Sequence, residues 1–345
     1  MINSDEHSVV IIGSGPAGHS AALYLARAGF KPLVISGPLP GGQAVFAGSI
    51  DNYSGFPEGV NGFDLIDRMK AQAQFFGAEY LDAAISAVDL NTDPYRLWTY
   101  LPEDVNYTHL EKYEKHDWLT LREQVVGQPH AIETKNIIIA TGSHSQFLGL
   151  ENEKNFLSRG LAVCAACDGP RYRGKDVVVV GGGDTALHEV LSLADIAASV
   201  TLIHRGKTWK STHVQKLEAV SKLTNVRFLW QNMVTKLIGE QHLHCIEVEN
   251  LETKERKMIH ADAVFLAIGR RPNIGLFANQ LEISSSGHIA TDAHRGVNTL
   301  QTVTSKPGVF AAGDVTSPFY NQVSVAVASG AMAAMDCIEY NNSSL

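Results

Sequence analysis

Short apolar runs that stop at glycine recur along the chain and alternate with longer stretches of helical spacing. Ser8 to Ile12 is β-branched and ends at Gly13, and Pro16 to Gly29 follows with Ala and Leu at helical intervals, so strand, glycine turn and helix come in that order. A second strand is predicted at Pro32 to Ile35. Turn-rich segments at Gly41-Gly42-Gln43 and Asp51 to Pro57 read as loop. Between Gly62 and Phe76 the spacing of Phe63, Leu65, Ile66, Met69, Ala73 and Phe76 predicts a helix with these residues facing the core. From Thr92 to His130 periodicity is lost while aromatic residues accumulate, among them Tyr95, Trp98, Tyr100, Tyr107, Tyr113 and Trp118. That stretch reads as an elaborated hairpin or surface excursion, with a partner-docking face as the alternative, since interfaces favour Tyr and Trp.

The same alternation then repeats. Asn136 to Ile139 is a buried strand ending at Ala140-Thr141-Gly142, and Ser143 to Asn155 reads as a segment leaving the first domain. Asp176 to Val180 is a near-continuous Val strand before a second glycine turn, Thr185 to Ala197 is the helix after it, and Val200 to Ile203 the next strand. Short strands with polar turns fill Val226 to Asp262. Ala263 to Ile268 is buried strand, Gly269 to Asn273 marks the return to the first domain, and Val309 to Asp314 is strand and turn before an Ala-rich helix, Val323 to Tyr340. With 345 residues, two domains are expected. The predicted class is α/β: two Rossmann-like nucleotide-binding domains, each βαβ with a GxGxxG-type turn, the second inserted in the first. The first spans 1–144 and 273–345, the second 145–272.

Each glycine turn carries chemistry. Gly13 permits a tight turn, Gly15 lets backbone approach a pyrophosphate, Gly18 lets helix pack on strand, and the helix N-terminus then faces the phosphates. Strand two ends at Ser36, where an acid often bonds ribose hydroxyls and where serine can still do so. Asp314 is placed to bond ribityl or phosphate groups, and the helix starting at Val323 can aim its positive end at a flavin ring. In the second domain Gly181-Gly182-Gly183-Asp184-Thr185-Ala186 is the equivalent turn. His204-Arg205-Gly206-Lys207-Thr208-Trp209-Lys210 follows the next strand, where a 2′-phosphate would sit, so this half is expected to bind NADPH. A solvated basic turn is the alternative.

Between the two turns lies Cys164-Ala165-Ala166-Cys167-Asp168. Two thiols at this spacing can close a disulfide, and Asp168 is placed to handle a proton as it opens. A CxxC is also half of a zinc site, but a closed site needs four ligands and no second close Cys or Cys/His pair is present. Cys245 and Cys337 stand alone and read as small buried hydrophobes. Net charge is -8, which argues against nucleic acid as a partner. The N-terminal residues read unlike a targeting sequence, and no apolar run reads as long enough to span a bilayer, so a cytoplasmic, reducing location without membrane contact is expected.

GSGPAG at 13 to 18, GGQ at 41 to 43, DNYSGFPEG at 51 to 59, ATG at 140 to 142, CAACDG at 164 to 169, GGGDTA at 181 to 186, AIGRRPN at 267 to 273 and GVFAAGD at 308 to 314 occur in the order found in low-molecular-weight, bacterial-type thioredoxin reductases. The chain resembles that family over nearly its whole length. The resemblance implies FAD contact by Gly13, Ser14, Gly15, Pro16, Ala17, Ser36, Gly42, Gln43, Asn52, Thr141, Gly142, Gly313, Asp314, Gln322 and Val323. It implies NADPH contact by Gly181, Gly183, Asp184, Thr185, His204, Arg205, Lys207 and Lys210. It further implies a thioredoxin-disulfide reductase in which Cys167 lies nearer the flavin, Cys164 attacks the partner disulfide, Asp168 is acid/base, and the chain is a homodimer.

Three departures stand out. The family's HRRxxxR has Gly206 and Lys210 at two arginine positions, Asn321 replaces the usual arginine before Gln322, and the Thr92 to His130 excursion is longer than usual. Losing forked cations should weaken 2′-phosphate recognition. A reductase of the same fold fed by a non-nucleotide donor such as ferredoxin is therefore a second reading, and a non-enzymatic redox-sensing or zinc module a third.

Overall fold

A computed structural model of the chain describes residues 7–105, 110, 113–211, 213–292 and 300–343. It separates into two compact units, Met1–His144 with Pro272–Leu345, and Ser145–Arg271.

In the first unit β1 (Val9–Ile12) runs parallel to β2 (Pro32–Ile35), with α1 (Pro16–Arg27) between them, and α2 (Gly62–Phe75) leads to β3 (Glu79–Leu81) beside β2. Strand alternation divides the core. Val9 and Ile11 face a cluster with Ala21, Leu25 and Phe310, while Val10 and Ile12 face Ile85, Leu97, Ile132 and Phe277. On α2 the apolar stripe is Leu65, Ile66 and Ala73, which are buried. Phe63 and Phe76 are exposed, against the expectation that they face the core. Phe63 lies roughly a third of a turn off the stripe at helical pitch, and Phe76 is the C-cap, already outside the helix.

The Thr92 to His130 stretch holds more structure than a surface excursion. β4 (Ala87–Asp89), β5 (Tyr95–Trp98) and β6 (Ile132–Thr134) form an antiparallel sheet, and α3 (Lys115–Val125) is inserted between β5 and β6. Trp98, Leu121 and Val125 are buried in a small core of their own with Ala84, Ala87 and Leu110. The Arg122 guanidinium donates to the carbonyls of Leu276 (2.7 Å) and Ala278 (2.9 Å), tying α3 to the rest of the unit. The aromatic residues thus serve packing more than display: Trp98 is buried, Tyr100 is exposed, and Tyr107 falls outside the described residues.

β7 (Ile137–Ile139) pairs with β1, and β8 (Ser143–Ser145) starts the chain's passage into the second unit. There β9 (Leu161–Ala162), the one-turn α4 (Ala165–Asp168), β10 (Asp176–Gly181), α5 (Asp184–Ala194), β11 (Ser199–His204), α6 (Val214–Ser221) and β12 (Val226–Trp230) follow in turn. An antiparallel sheet of β13 (Asn232–Gly239), β14 (Leu243–Asn250) and β15 (Arg256–His260) precedes β16 (Ala263–Ala267), which completes a parallel sheet of order β12-β11-β10-β16-β9. Val177 and Val179 pack on α5 through Leu187, Val190 and Leu193, whereas Val178 and Val180 pack on Val234, Ile246 and Val248 of the antiparallel sheet. A strand buried on both faces explains the unbroken Val run. Cys245, expected to be buried, is half-exposed because its neighbour Ile246 takes the core position.

β17 (Arg270–Pro272) pairs with β8 as the chain returns, and β18 (Val309–Ala311) completes the first unit's parallel sheet in the order β18-β7-β1-β2-β3. The last element is α7 (Val323–Ser343). With 21 residues and a mean hydropathy of 1.2 in its most apolar window, α7 is long and apolar enough to cross a membrane by length and composition, which corrects the expectation that no such run exists. Ser324, Ser329 and Gly330 break the run into short pieces and hide it in the sequence. In the fold α7 packs on α1: a Cβ at Gly330 would lie 2.1 Å from the Ala17 carbonyl oxygen, and Ala333, Ala334 and Cys337 are buried.

His19 on α1 is buried, with Nδ1 2.8 Å from the Tyr80 hydroxyl on β3. Burial, then the Lys70 charge, lowers its pKa from 6.5 to about 4. The unfolded chain therefore binds more protons between these values, so stability is full above pH 6.5 and falls as pH drops toward 4, by about 3 kcal/mol at most. Denaturant melts at pH 7 and pH 4.5 are expected to show this loss in the wild type and a much smaller one in His19→Gln; equal losses would contradict it.

Candidate functional site

In the first unit the turn between β1 and α1 is pressed against β7. Gly13 has φ of 111°, and a Cβ there would lie 2.3 Å from the Ala140 carbonyl oxygen. Gly15 differs: a Cβ there would meet only the Gly41 carbonyl oxygen at 3.9 Å. Gly42, on the facing turn, would bring a Cβ to 3.4 Å from the Gly15 Cα, so two bare glycines flank one open space. Helix α1 begins there with Pro16 in its first turn and no side-chain cap, leaving its first N–H groups for a ligand. Ser14 fixes the turn, its hydroxyl donating to the Ser36 carbonyl (3.0 Å) and accepting from Gly41 N–H (2.9 Å). Ala17 is buried beneath. These features fit a pyrophosphate group.

The remaining residues implied by resemblance fall on the surrounding loops. Gly42 and Gln43 open a 3-10 turn, Gly42–Phe46, where the sequence reads as loop. Ser36 is buried and donates to Asp82 Oδ1 at 2.8 Å. Asp82 is exposed and brings a carboxylate beside Ser36; it lies just past β3, too far along the chain for the fingerprint to reveal it. Asn52 and Gln322 meet, the Asn52 amide donating to Gln322 Oε1 at 3.0 Å. Thr141 donates to the Asn273 carbonyl (2.8 Å), and Asn273 returns bonds to Thr141 O (2.7 Å) and Gly142 O (3.0 Å). Ser143 donates to Asp314 Oδ2 at 3.2 Å, and Gly313 N–H donates to Ser329 Oγ at 2.8 Å. Val323 is the first residue of α7. The bonds made by Asn273, Ser143 and Ser329 are not legible in the sequence, because a hydrogen bond between distant loops leaves no local pattern.

The second unit repeats the turn. A Cβ at Gly181 would lie 2.3 Å from the Ala267 carbonyl oxygen, whereas at Gly183 it would meet nothing within 4 Å, and α5 starts there without a side-chain cap. Asp184 and Thr185 are exposed on its first turn, Asp184 carboxylate being 3.8 Å from His213 Nε2. The basic loop is tied to this turn by the bond from Lys210 N–H to the Gly182 carbonyl (2.7 Å). Arg205, Lys207 and Lys210 are exposed and have no ion-pair partner among the described residues. His204 is different. Its ring lies where a Cβ of Gly182 or Gly206 would go (2.3 and 2.6 Å), and it is buried beside Trp230. Burial first, then Lys210 and Arg205, lowers its pKa, so it offers a neutral ring and not a fourth charge for phosphate. Its Nε2 is buried without a partner, an orphan consistent with a ligand at this turn. The open glycine, bare helix end and free cations fit a nicotinamide dinucleotide phosphate.

Cys164 and Cys167 form a disulfide with Cα atoms 5.4 Å apart. Cys164 is the N-cap of α4, and its sulfur accepts Cys167 N–H at 3.2 Å, a contact that favours a thiolate on Cys164 once the bond opens. Asp168 follows directly, its carboxylate 3.5 Å from the Arg171 guanidinium. Behind the loop Glu189 of α5 accepts Ala165 N–H at 2.5 Å. An open cleft of about 490 Å³ in the first unit, lined by Asp89, Arg96, Trp98, His130 and Glu133 among others, contains none of the residues above.

The arrangement of two nucleotide turns with a disulfide in the second unit defines a nucleotide-linked disulfide oxidoreductase. The chain belongs to the pyridine nucleotide-disulphide oxidoreductase family, which it matches over residues 7–330. It is 34% identical to the thioredoxin reductase of Coxiella burnetii across 99% of both chains, and 35% identical to that of Debaryomyces hansenii across 97% of both. Among solved structures it is similar to the thioredoxin reductase of Streptococcus pyogenes (TM-score 0.82, 30% identity, 98% of both chains) and to that of Giardia duodenalis (TM-score 0.81, 26% identity, 97% of this chain and 98% of that one).

The two bare glycines make a paired test. Neither Gly15→Ala nor Gly183→Ala meets a steric obstacle, so both variants should melt within a few degrees of the wild-type apoprotein. Gly15→Ala is expected to lose flavin on purification while Gly183→Ala keeps it but binds NADPH at least about tenfold more weakly, the effect of losing ~1.4 kcal/mol of close backbone contact. Unchanged cofactor binding in both would contradict the assignment.

Proposed function

We propose that the protein is an FAD-dependent thioredoxin-disulfide reductase that takes electrons from NADPH and delivers them through Cys164 and Cys167 to a thioredoxin-like protein. The observation that carries this reading is the disulfide at the N-terminus of α4 in the same unit as an open glycine turn and the cations Arg205, Lys207 and Lys210. The likeness to thioredoxin reductases over nearly the whole chain supports it. We assign 1–144 and 273–345 as the FAD-binding domain and 145–272 as the NADPH-binding domain.

Bound FAD supplies a two-electron relay between nicotinamide and disulfide. The protein's own groups do the rest. Gly13 to Ala17, Ser36, Gly42, Gln43, Asn52, Thr141, Gly142, Gly313, Asp314, Gln322 and Val323 hold the flavin nucleotide; Gly181, Gly183, Asp184, Thr185 and His204 hold the donor, with Arg205, Lys207 and Lys210 at its 2′-phosphate. When the Cys164–Cys167 bond opens, Cys167 N–H stabilises the Cys164 thiolate, which attacks the partner disulfide to form a mixed disulfide. Cys167 then displaces the partner, with Asp168 moving the proton. The chain is proposed to work as a homodimer in a cytosol-like, reducing compartment. Three solvated cations favour a nucleotide over ferredoxin as donor, and both sulfurs are committed to each other, which disfavours the zinc reading.

With Gly206 in place of an arginine, charge at the 2′-phosphate site is kept but forked geometry is reduced. Stopped-flow flavin reduction is expected to be faster with NADPH than NADH, and Arg205→Ala to erase most of that margin, at about 1.5–3 kcal/mol. Cys164→Ser and Cys167→Ser should each keep flavin reduction and lose reduction of thioredoxin. Flavin bleached by reduced ferredoxin but by neither nucleotide would overturn the donor assignment.

A further inference from the structure

Two carboxyls stand near the redox pair, in unlike surroundings. Asp168 directly follows Cys167 and faces Arg171 at 3.5 Å. Glu189 projects from the middle of α5, is largely shielded from water, and has no ion-pair partner among the described residues. Its Oε2 accepts Ala165 N–H, the first helical residue after Cys164, at 2.5 Å. It therefore touches the backbone that carries the disulfide without lying in the disulfide's own sequence. Nothing in the exchange chemistry described above uses it.

We propose that Glu189 is a positioning residue for the redox pair: it fixes the start of α4 through Ala165 N–H and holds a proton whose presence or absence sets how readily Cys164 becomes a thiolate. This inference rests on the reading of Cys164–Cys167 as a working redox disulfide. The structural argument is one of burial and charge. A carboxylate without a cation is costly away from water, and a single peptide N–H offsets only part of that cost. Burial, opposed in part by the Ala165 bond and helped by the Asp168 charge, raises the Glu189 pKa from 4.5 to about 7.

The elements packed on α5 are α4, α6, β10, β11 and β16. They carry Asp168 on α4, Lys216 and Glu218 on α6, Asp176 on β10 and His204 on β11, with none on β16; His213 pairs with Asp184 at the far end of α5. Asp168 is the charge among them that acts on Glu189. Both effects move the ionisation of Glu189 up toward the range in which a thiol ionises.

The step balances simply. Two electrons from a reductant, reduced flavin or a dithiol, enter the S–S bond, which breaks to give two sulfurs carrying two negative charges before any proton is taken up. One sulfur takes a proton as Cys167 thiol. That proton comes from the reductant, whose other proton passes to solvent; the second sulfur remains as the Cys164 thiolate while Glu189 keeps the proton it already holds. Above its own pKa Glu189 is negative, and repulsion then makes the Cys164 thiolate harder to form; below it, no such repulsion exists. Thiolate formation is thus spread over two coupled titrations.

The test is the pH profile of iodoacetamide alkylation of Cys164 in holoenzyme reduced with dithiothreitol and freed of it anaerobically, the modified residue being identified by mass spectrometry. Wild type is expected to gain rate in two steps, the lower one near pH 7. Glu189→Gln keeps an acceptor for Ala165 N–H and removes the proton, and should show a single step with Cys164 about three- to tenfold more reactive at pH 8. Glu189→Ala should show the same single step together with a lower melting temperature. Superimposable profiles for wild type and Glu189→Gln would overturn the role of Glu189 alone. A Cys164–Cys167 pair that dithiothreitol cannot open would instead overturn the reductase reading on which it rests.

Discussion

Each unit depends on a strand end pressed against a neighbouring carbonyl so closely that only a residue without Cβ fits. Gly13 meets the carbonyl after β7 and Gly181 the carbonyl at the end of β16, both at a distance where a side chain could not exist. This contact turns the chain sharply enough for α1 and α5 to start directly above their strands, with first-turn N–H groups left open. The next glycines, Gly15 and Gly183, are bare for the opposite reason: nothing of the protein fills their space. The proposed binding of a nucleotide phosphate rests on the pairing of the two, one glycine forced by packing and one left open.

The redox loop uses the same device on a smaller scale. Cys164 caps a one-turn helix and receives Cys167 N–H, so its sulfur, proposed as the attacking one, sits where backbone dipoles favour negative charge. The loop is held from behind by α5, the very helix whose N-terminus forms the nucleotide turn. The proposed donor site and the disulfide therefore lie on two helices in contact, α4 and α5, within a single unit.

Much of this is legible in the sequence where the chemistry is local. The Val run of β10, the order of strand, turn and helix, and the CxxC all declare themselves over a few residues, because backbone geometry dictates residue type there. Relations across long separations do not. Asp82 behind Ser36, Asn273 beneath Thr141 and Glu189 behind Ala165 are joined by single hydrogen bonds between separate segments. Helix α3 escapes for another reason: its buried face is only Leu121 and Val125, too narrow a stripe to outweigh the charged residues around it. Phe63 and Phe76 fail in the reverse direction, since hydrophobicity alone does not place a residue on the buried face of α2.

The central claim is that electrons pass through Cys164 and Cys167 as well as through a flavin. Anaerobic titration of the holoenzyme with NADPH, reading flavin absorbance and counting thiols by alkylation, measures this directly. Wild type should take up about two equivalents and Cys164→Ser about one, because a flavin and a disulfide each accept two electrons. A wild type that saturates at one equivalent, with Cys164 and Cys167 still joined, would contradict the account.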